Sequence, residues 1–212
     1  EPQKEAVKTL EGPLLVLSGA GTGKTRVLIA RLANLLYSNV TKPWNILAVT
    51  FTNKAAKEMK HRLEALIGPS ANSVWLGTFH SIAAKILREN AEIVGLNSNY
   101  TIITPDDQVR LLKQIMLDEN IDIKKFTPKA MSGLIGSWKD KGYKPENADN
   151  LSNDFFANGK AINIYKIYQS RLITLNSTDF GDLLMHNLTI FREYPDILKK
   201  YHEKILYFLV DE

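Results

Sequence analysis

The residues best suited to binding a phosphate lie in one short stretch, Ser18–Arg26, which reads SGAGTGKTR. Three glycines at alternate positions let the backbone turn so that consecutive N–H groups face an anion. The apolar run Leu14–Ser18 before them is predicted to be a buried strand. A helix is predicted to open at Lys24 and to point its positive end at the same anion. Strand, glycine-rich loop, Lys-Thr pair and helix together predict a nucleotide phosphate site.

Within this stretch, Lys24 is expected to reach the outer phosphates as a point charge, and Thr25 to offer its hydroxyl to Mg²⁺. The strict pattern G-x-x-x-x-G-K-[ST] has glycine where this chain has Ser18, so the loop is a variant. The alternative is a glycine-rich turn with a chance Lys-Thr pair. The predicted nucleotide-binding residues of the stretch are Ser18, Gly19, Ala20, Gly21, Thr22, Gly23, Lys24, Thr25 and Arg26.

A second candidate for chemistry is the acidic pair Asp211-Glu212, which follows the most hydrophobic run of the chain, Ile205–Val210. That run is predicted to be a central strand of a parallel sheet. In a nucleoside triphosphatase with such a loop, an acid at the tip of a neighbouring strand holds Mg²⁺. We expect Asp211 to have that role and Glu212 to orient and deprotonate the attacking water. Lys24, Asp211 and Glu212 are the predicted catalytic residues; a solvated strand end is the alternative for the two acids.

Composition limits the class of protein. The chain has 212 residues, 44% of them hydrophobic, which is enough for one large domain or for one and a half smaller ones. It has no cysteine, which excludes disulfides and cysteine-based metal sites and fits a reducing compartment. We find no apolar run of about 18 residues and no signal peptide, so no membrane segment is expected. The net charge of +4 permits nucleic-acid binding without requiring it.

The order of elements predicts an α/β fold. Predicted strands at 46–50 and 74–77 alternate with predicted helices at 26–37, 54–66 and 79–90, which is typical of a parallel sheet with crossover helices. From about residue 91 the pattern becomes helical, with helices predicted at 106–120, 128–138 and 161–175. We interpret 91–176 as a helical insertion and 177–212 as the return to the domain that 1–90 begins. Lysines of the insertion are candidates for a nucleic-acid surface, with a solvated face as the alternative for each: Lys113, Lys124, Lys125, Lys129, Lys139, Lys141 and Lys144.

The ordered set of motifs resembles the N-terminal part of the UvrD/PcrA/Rep family of superfamily 1 DNA helicases. PQKEAV at the start is similar to the family's Q motif, and SGAGTGKT to its first motif, which commonly opens with a small residue. TFTNKAAKEM (50–59) resembles motif Ia, GTFHS (77–81) motif Ib, and LVDE (209–212) the start of the DExx box. TDFGDLL (178–184) resembles the helix that returns from the inserted subdomain.

The resemblance implies a P-loop NTPase of RecA-like fold, a parallel sheet flanked by helices with an inserted all-helical subdomain. It implies ATP and Mg²⁺ as cofactors, with Gln3 reading adenine, and single-stranded DNA and single-strand/duplex junctions as partners. Aromatic rings stack on unpaired bases, and small polar groups at strand–helix junctions hold phosphates. The DNA-binding candidates are Phe51, Asn53, Thr78, Phe79, His80 and Phe180; a place in the core is the alternative for each phenylalanine.

The resemblance also implies an ATP-dependent 3′–5′ translocase of repair or replication in the bacterial cytoplasm, associated with the nucleoid. Its second motor domain, with the arginines that complete the ATP site, would belong to the same chain beyond Glu212. A piece with one wall of the site is expected to bind nucleotide weakly and to be inactive as a helicase. The alternatives are a helicase subunit of a helicase-nuclease recombination complex, a P-loop switch not coupled to DNA, and a DNA-binding module whose nucleotide site is vestigial.

Overall fold

The computed structural model describes residues 2–19, 21–150 and 156–211. Its α-helices are α1 (Pro2–Lys8), α2 (Lys24–Tyr37), α3 (Asn53–Ile67), α4 (Phe79–Glu89), α5 (Pro105–Asp118), α6 (Pro128–Asp140), α7 (Ala161–Thr174), α8 (Phe180–Glu193) and α9 (Pro195–Lys204). Its strands are β1 (Ile46–Thr50), β2 (Trp75–Thr78), β3 (Thr101–Ile102), β4 (Ser177–Thr178) and β5 (Tyr207–Asp211). Short 3₁₀ helices occupy Pro43–Asn45, Gly68–Ser73, Ala91–Val94, Pro145–Asn150 and Phe156–Gly159.

The chain divides into two compact units. The first comprises the residues up to Ile82 and those from Pro195 onward, and the second comprises Ala83–Tyr194. These bounds differ from the three segments drawn at 91 and 176, because α8 and the second half of α4 belong to the second unit. The three-segment division itself stays a prediction.

The first unit contains a parallel sheet in the order β2-β1-β5. All five residues of β1 are buried, as expected for a strand with neighbours on both edges and helices on its faces. The register places Thr50 beside Thr78 of β2 on one side and beside Asp211 of β5 on the other. Side chains from α2, α3 and the three strands share one core that includes Leu32, Leu35, Met59 and Leu63. The predicted parallel sheet with flanking helices is therefore confirmed.

Two strand predictions in this unit are wrong. Leu14–Ser18 lies outside the strands, and Leu14, Leu15, Val16 and Leu17 are between 41 and 84% exposed. The run Ile205–Val210 was predicted to form a central strand, but β5 (Tyr207–Asp211) lies at an edge of the described sheet and β1 is the central strand. Phe208 and Val210 of β5 are correspondingly exposed. An apolar run becomes a strand only when a neighbour supplies backbone partners, and hydrophobicity alone does not provide them.

The second unit is mostly helical. Helices α5, α6 and α7 pack around Leu112, Met116, Ile135 and Ile164, all essentially inaccessible to solvent. The short strands β3 and β4 pair in parallel, so the unit is not wholly helical. Threonines begin two of its helices: Thr104 and Thr127 each accept a hydrogen bond from an amide of the first turn, as their positions before proline predict.

Candidate nucleotide and DNA site

Helix α1 brings Gln3 to the glycine-rich loop. Arg31 and Asn34 of α2 donate hydrogen bonds to the carbonyl oxygens of Ala6 and Val7, at 3.2 and 3.0 Å, and so hold α1 against α2. From that position Gln3 Nε2 donates to the Thr22 carbonyl oxygen at 2.9 Å. The structure therefore joins the first predicted motif to the loop, although sixteen or more residues separate them in sequence.

The loop itself turns on two glycines. Gly21 and Gly23 have φ angles of 76° and 87°, in the left-handed region that side chains disfavour. Thr22 Oγ1 donates to Gly19 O at 2.8 Å and lies 2.9 Å from Ser18 Oγ, which braces the turn from inside. Gly23 precedes the first turn of α2 and has no side chain to cap it, so the amides there are available to an anion.

Lys24 folds back over this loop. Its Nζ donates to the carbonyl oxygens of Ser18 and Gly19 at 3.1 and 3.2 Å. The ammonium group is thus held above the turn where a phosphate would lie on the helix amides. Arg26 is exposed one residue beyond Thr25, and Ala20 lies outside the described residues.

Thr25 and Asp211 meet although they are 186 residues apart in sequence. Thr25 Oγ1 donates to the Asp211 carboxylate, 2.9 Å from Oδ2 and 3.1 Å from Oδ1. Asp211 is only 6% exposed, and its register beside Thr50 of the central strand fixes its position. Glu212, the predicted base, lies outside the described residues.

This pair fits Mg²⁺. A hydroxyl and a carboxylate oxygen are hard donors, and Mg²⁺ is usually bound by one or two protein oxygens together with phosphates and waters. Among the described residues no group of three or more His, Asp or Glu side chains is placed to hold a metal by itself. The Thr25 hydroxyl and the Asp211 carboxylate would leave most of the six positions around Mg²⁺ for waters and phosphate oxygens.

A cavity of about 330 Å³ adjoins the loop. One side is the first turn of α1, with Gln3, and another is the exposed segment before the loop. Its lining also includes Thr9, Ser18, Thr22, Lys24 and Val27. The apolar residues Leu14–Leu17 that were expected inside a sheet instead form part of this wall.

Two further candidates lie at the end of β1. Phe51 follows the strand directly and is 75% exposed. Asn53 is the exposed first residue of α3, whose N-terminus Thr52 caps by accepting a hydrogen bond from Ala55 N at 3.1 Å. The ring and the amide thus both face solvent at the carboxyl end of the central strand.

The GTFHS motif forms the junction of β2 and α4. Phe79 is partly exposed and His80 is half-buried. Thr78 is only 6% exposed; its Oγ1 accepts from Ser81 N at 3.2 Å, while its own amide donates to Ser81 Oγ at 2.9 Å. The structure thus gives Thr78 a capping role, and its contact with DNA stays a prediction.

Phe180, in the second unit, is 49% exposed at the start of α8. Asp179 before it caps the helix by accepting from Asp182 N at 2.8 Å. Lys139, which was a candidate for a nucleic-acid surface, is buried beside these acids, with 1% of its side chain exposed. That expectation is wrong because two carboxylates hold the ammonium group inside. Its spacing from Met131 and Ile135, on the buried face of α6, was the available signal.

The comparisons with known proteins agree with these motifs. The family model of the UvrD/REP helicase N-terminal domain matches residues 1–212. The chain belongs to this family. The resemblance found in the sequence is thereby confirmed, and so is the α/β fold with its parallel sheet.

Relatives of the UvrD/REP family extend the likeness over the whole chain. Over 99% of its length it is 47% identical to the ATP-dependent DNA helicase PcrA of Staphylococcus epidermidis and 43% identical to PcrA of Bacillus subtilis. It is 50% identical to DNA helicase II of Rickettsia typhi, again over 99% of its length. The chain spans only 28 to 32% of the length of these relatives. In the described ranges no helix has the length and apolar character needed to cross a membrane.

Proposed function

We propose that this chain is the first motor domain of an ATP-dependent DNA helicase that translocates 3′ to 5′ on single-stranded DNA in repair or replication. The observation that carries the proposal is the hydrogen bond between Thr25 and Asp211, which unites the phosphate loop with the acidic end of β5. Membership of the UvrD/REP helicase family supports it. The names of the relatives, PcrA and DNA helicase II, agree with it.

In this proposal Lys24 changes partners. Its ammonium group leaves the carbonyl oxygens of Ser18 and Gly19 and binds the β- and γ-phosphate oxygens, where it offsets charge that builds during phosphoryl transfer. The amides of the loop and of the first turn of α2 bind the same phosphates. Gln3, already next to Thr22, recognises adenine, and Arg26 contributes a further positive charge.

Thr25 and Asp211 would hold Mg²⁺ through their side-chain oxygens. When bound, the ion neutralises phosphate charge and helps to orient the terminal phosphate. Glu212 is proposed to accept a proton from the attacking water. A second motor domain, in the longer protein, would supply the arginines of the opposite wall.

Single-stranded DNA is proposed to bind where aromatic rings and small polar groups are exposed. Phe51, Phe79 and Phe180 would stack on bases, and each such contact contributes about 1–3 kcal/mol. Asn53, Thr78 and His80 would contact the backbone. We also keep the division into 1–90, 91–176 and 177–212, single-strand/duplex junctions as partners and a bacterial cytoplasmic location as parts of this proposal.

The test is ATP hydrolysis by the protein as the cell makes it, without DNA, with single-stranded DNA and with blunt duplex. We expect strong stimulation by single strands and its loss in Lys24→Ala, by at least about 100-fold, since one electrostatic contact to the transition state is removed. Lys200→Ala, at an exposed lysine of α9 outside the candidate nucleic-acid surface, is the control and should hydrolyse ATP normally.

Other outcomes would identify the alternatives. Undiminished hydrolysis by Lys24→Ala would contradict the phosphate site. Hydrolysis indifferent to all nucleic acid would favour a P-loop switch, and DNA binding indifferent to nucleotide would favour a vestigial site. A nuclease activity in the same complex would favour a helicase subunit of a helicase-nuclease machine.

A further inference from the structure

A buried ionic cluster lies directly behind Phe180. Lys139 Nζ is 2.6 Å from Asp179 Oδ2 and 2.7 Å from Asp182 Oδ1, and all three side chains are at most 5% exposed. Tyr168 donates to the same Asp179 oxygen at 2.8 Å, and Gln169 donates to Asp182 Oδ1 at 3.0 Å. Side chains of α6 and α7 therefore converge on the first turn of α8.

Lys139 also packs against Gly181, one of the two residues between these acids. A Cβ on Gly181 would lie 2.9 Å from Lys139 Cδ and 3.3 Å from Lys139 Cβ. The lysine stem thus fills the space that a side chain at position 181 would need. Residues 179, 181 and 182 all contact Lys139, and Phe180 is the member of this turn whose side chain is half exposed.

Hydrophobic contacts alone would be enough to hold three helices together. A buried charge has a further requirement, because it needs hydrogen-bonding partners at fixed positions. Here one ammonium group faces two carboxylates, so its position and theirs are set by direct hydrogen bonds. The Lys139 ammonium group also lies 5.2 Å from the centre of the Tyr168 ring, which restricts it on a further side. Such an arrangement favours one orientation of the turn over others.

We propose that Lys139 is a positioning residue: through Asp179, Gly181 and Asp182 it holds the turn that presents the Phe180 ring to a base of single-stranded DNA. This inference rests on the proposed function, because it needs Phe180 to bind a base. It assigns a role to a lysine on α6 that itself touches no DNA.

The test measures binding of oligothymidylates with one abasic site, moved along the strand, to the protein as the cell makes it. An abasic site removes a base while the phosphates remain. At one position an abasic site should weaken binding by the wild type but not by Phe180→Leu. The base at that position is the one that stacks on Phe180. A base–aromatic contact corresponds to a roughly 5- to 150-fold change in affinity.

We expect Lys139→Met to abolish the response at that same position and to leave the responses at other positions intact. The double variant Lys139→Met/Phe180→Leu should bind no more weakly than Phe180→Leu, because both changes remove the same contact between Phe180 and the base. Lys200→Met, at an exposed lysine of α9 outside the candidate nucleic-acid surface, is the control and should respond as the wild type does. A general loss of structure would instead weaken all positions alike.

Negative results would distinguish the proposed DNA contact of Phe180 from the proposed positioning role of Lys139. If the wild-type protein ignores abasic sites everywhere, the proposed DNA contact fails. If Phe180→Leu loses one position and folded Lys139→Met keeps it, positioning fails and the DNA contact stands. Should Lys139→Met not fold, Gly181→Ala displaces the same turn and keeps every charge. A full response in folded Gly181→Ala overturns the proposal, and a loss at the Phe180 position alone supports it.

Discussion

Lys24 makes two sets of contacts in the proposed cycle. Both sets affect the ATP affinity that is measured for a Lys24 variant. Without nucleotide its ammonium group binds the carbonyl oxygens of Ser18 and Gly19. Removing the side chain therefore takes away contacts within the loop as well as contacts to phosphate. A loss of ATP affinity in Lys24→Ala would include the cost of a looser loop, so the rate with bound ATP is the more direct measure of the phosphate contact.

His186 provides a residue-scale prediction about pH. Burial lowers the pKa of His186; Asp182 and Asp179 act to raise it, and Lys139 and Lys144 to lower it. Because the folded pKa lies below that of the unfolded chain, about 6.5, the unfolded state binds more protons below that pH. Between about pH 7.5 and 5.5 we expect the free energy of unfolding to fall, and His186→Gln to remove this fall.

Urea unfolding at the two pH values checks this expectation. His61→Gln, at an exposed histidine of α3, is the matched control and should keep the wild-type pH dependence. An unchanged pH dependence in His186→Gln would show that another group is responsible.

Glycines in two elements give an element-scale prediction. On α6 a Cβ at Gly133 would meet no atom within 4 Å, whereas at the end of β2 a Cβ at Gly77 would come 2.4 Å from Ser81 Oγ. Gly133→Ala should raise the free energy of unfolding by about 0.5–1 kcal/mol, since alanine loses less chain entropy in a helix. Gly77→Ala should lower it by about 1–3 kcal/mol through overpacking. Thermal unfolding of both variants distinguishes these signs, and equal effects would contradict the packing argument.

Elements that depend on local rules were predictable. Strand β1 has the predicted bounds, because five consecutive apolar or small residues need burial on both faces. Helices α3 and α6 begin within one residue of the predicted starts at 54 and 128, where Thr52 and Thr127 cap them. Leu14–Ser18 was not predictable in the same way, since a strand also needs a neighbour, and its sequence contains no information about that neighbour.

The candidate site also has parts that the sequence predicted and parts that it did not. The motif alone predicted that the loop meets Asp211 at the end of β5, and the Thr25–Asp211 hydrogen bond forms although Leu14–Ser18 is not a strand. The burial of Lys139 depends on Asp179 and Asp182, some forty residues further along, and no local pattern names such partners. The helical periodicity of α6 does place Lys139 on the same face as buried residues. A charged side chain on that face needs a partner.

At the scale of the whole molecule, the proposed function assigns the second wall of the nucleotide site to a separate motor domain. The described residues proposed to bind phosphate or Mg²⁺, Lys24, Thr25 and Asp211, all lie in the first unit. We expect the 212-residue chain by itself to hydrolyse ATP at least about a thousandfold more slowly than the protein as the cell makes it, since arginines from a second domain can contribute that much. Steady-state hydrolysis with single-stranded DNA measures the ratio, and equal rates would contradict the two-wall arrangement.

The contact between Thr25 and Asp211 determines when the nucleotide site can form during synthesis of the chain. The two residues are 186 positions apart, and a ribosome adding about 5–20 residues per second separates their synthesis by roughly 10 to 40 s. During that interval the edge of β1 that later receives β5 has no partner, and Ala83–Tyr194 becomes complete in sequence before β5 is made. The order of synthesis therefore makes the nucleotide site one of the last features of the domain to form, and an unfinished chain cannot assemble it.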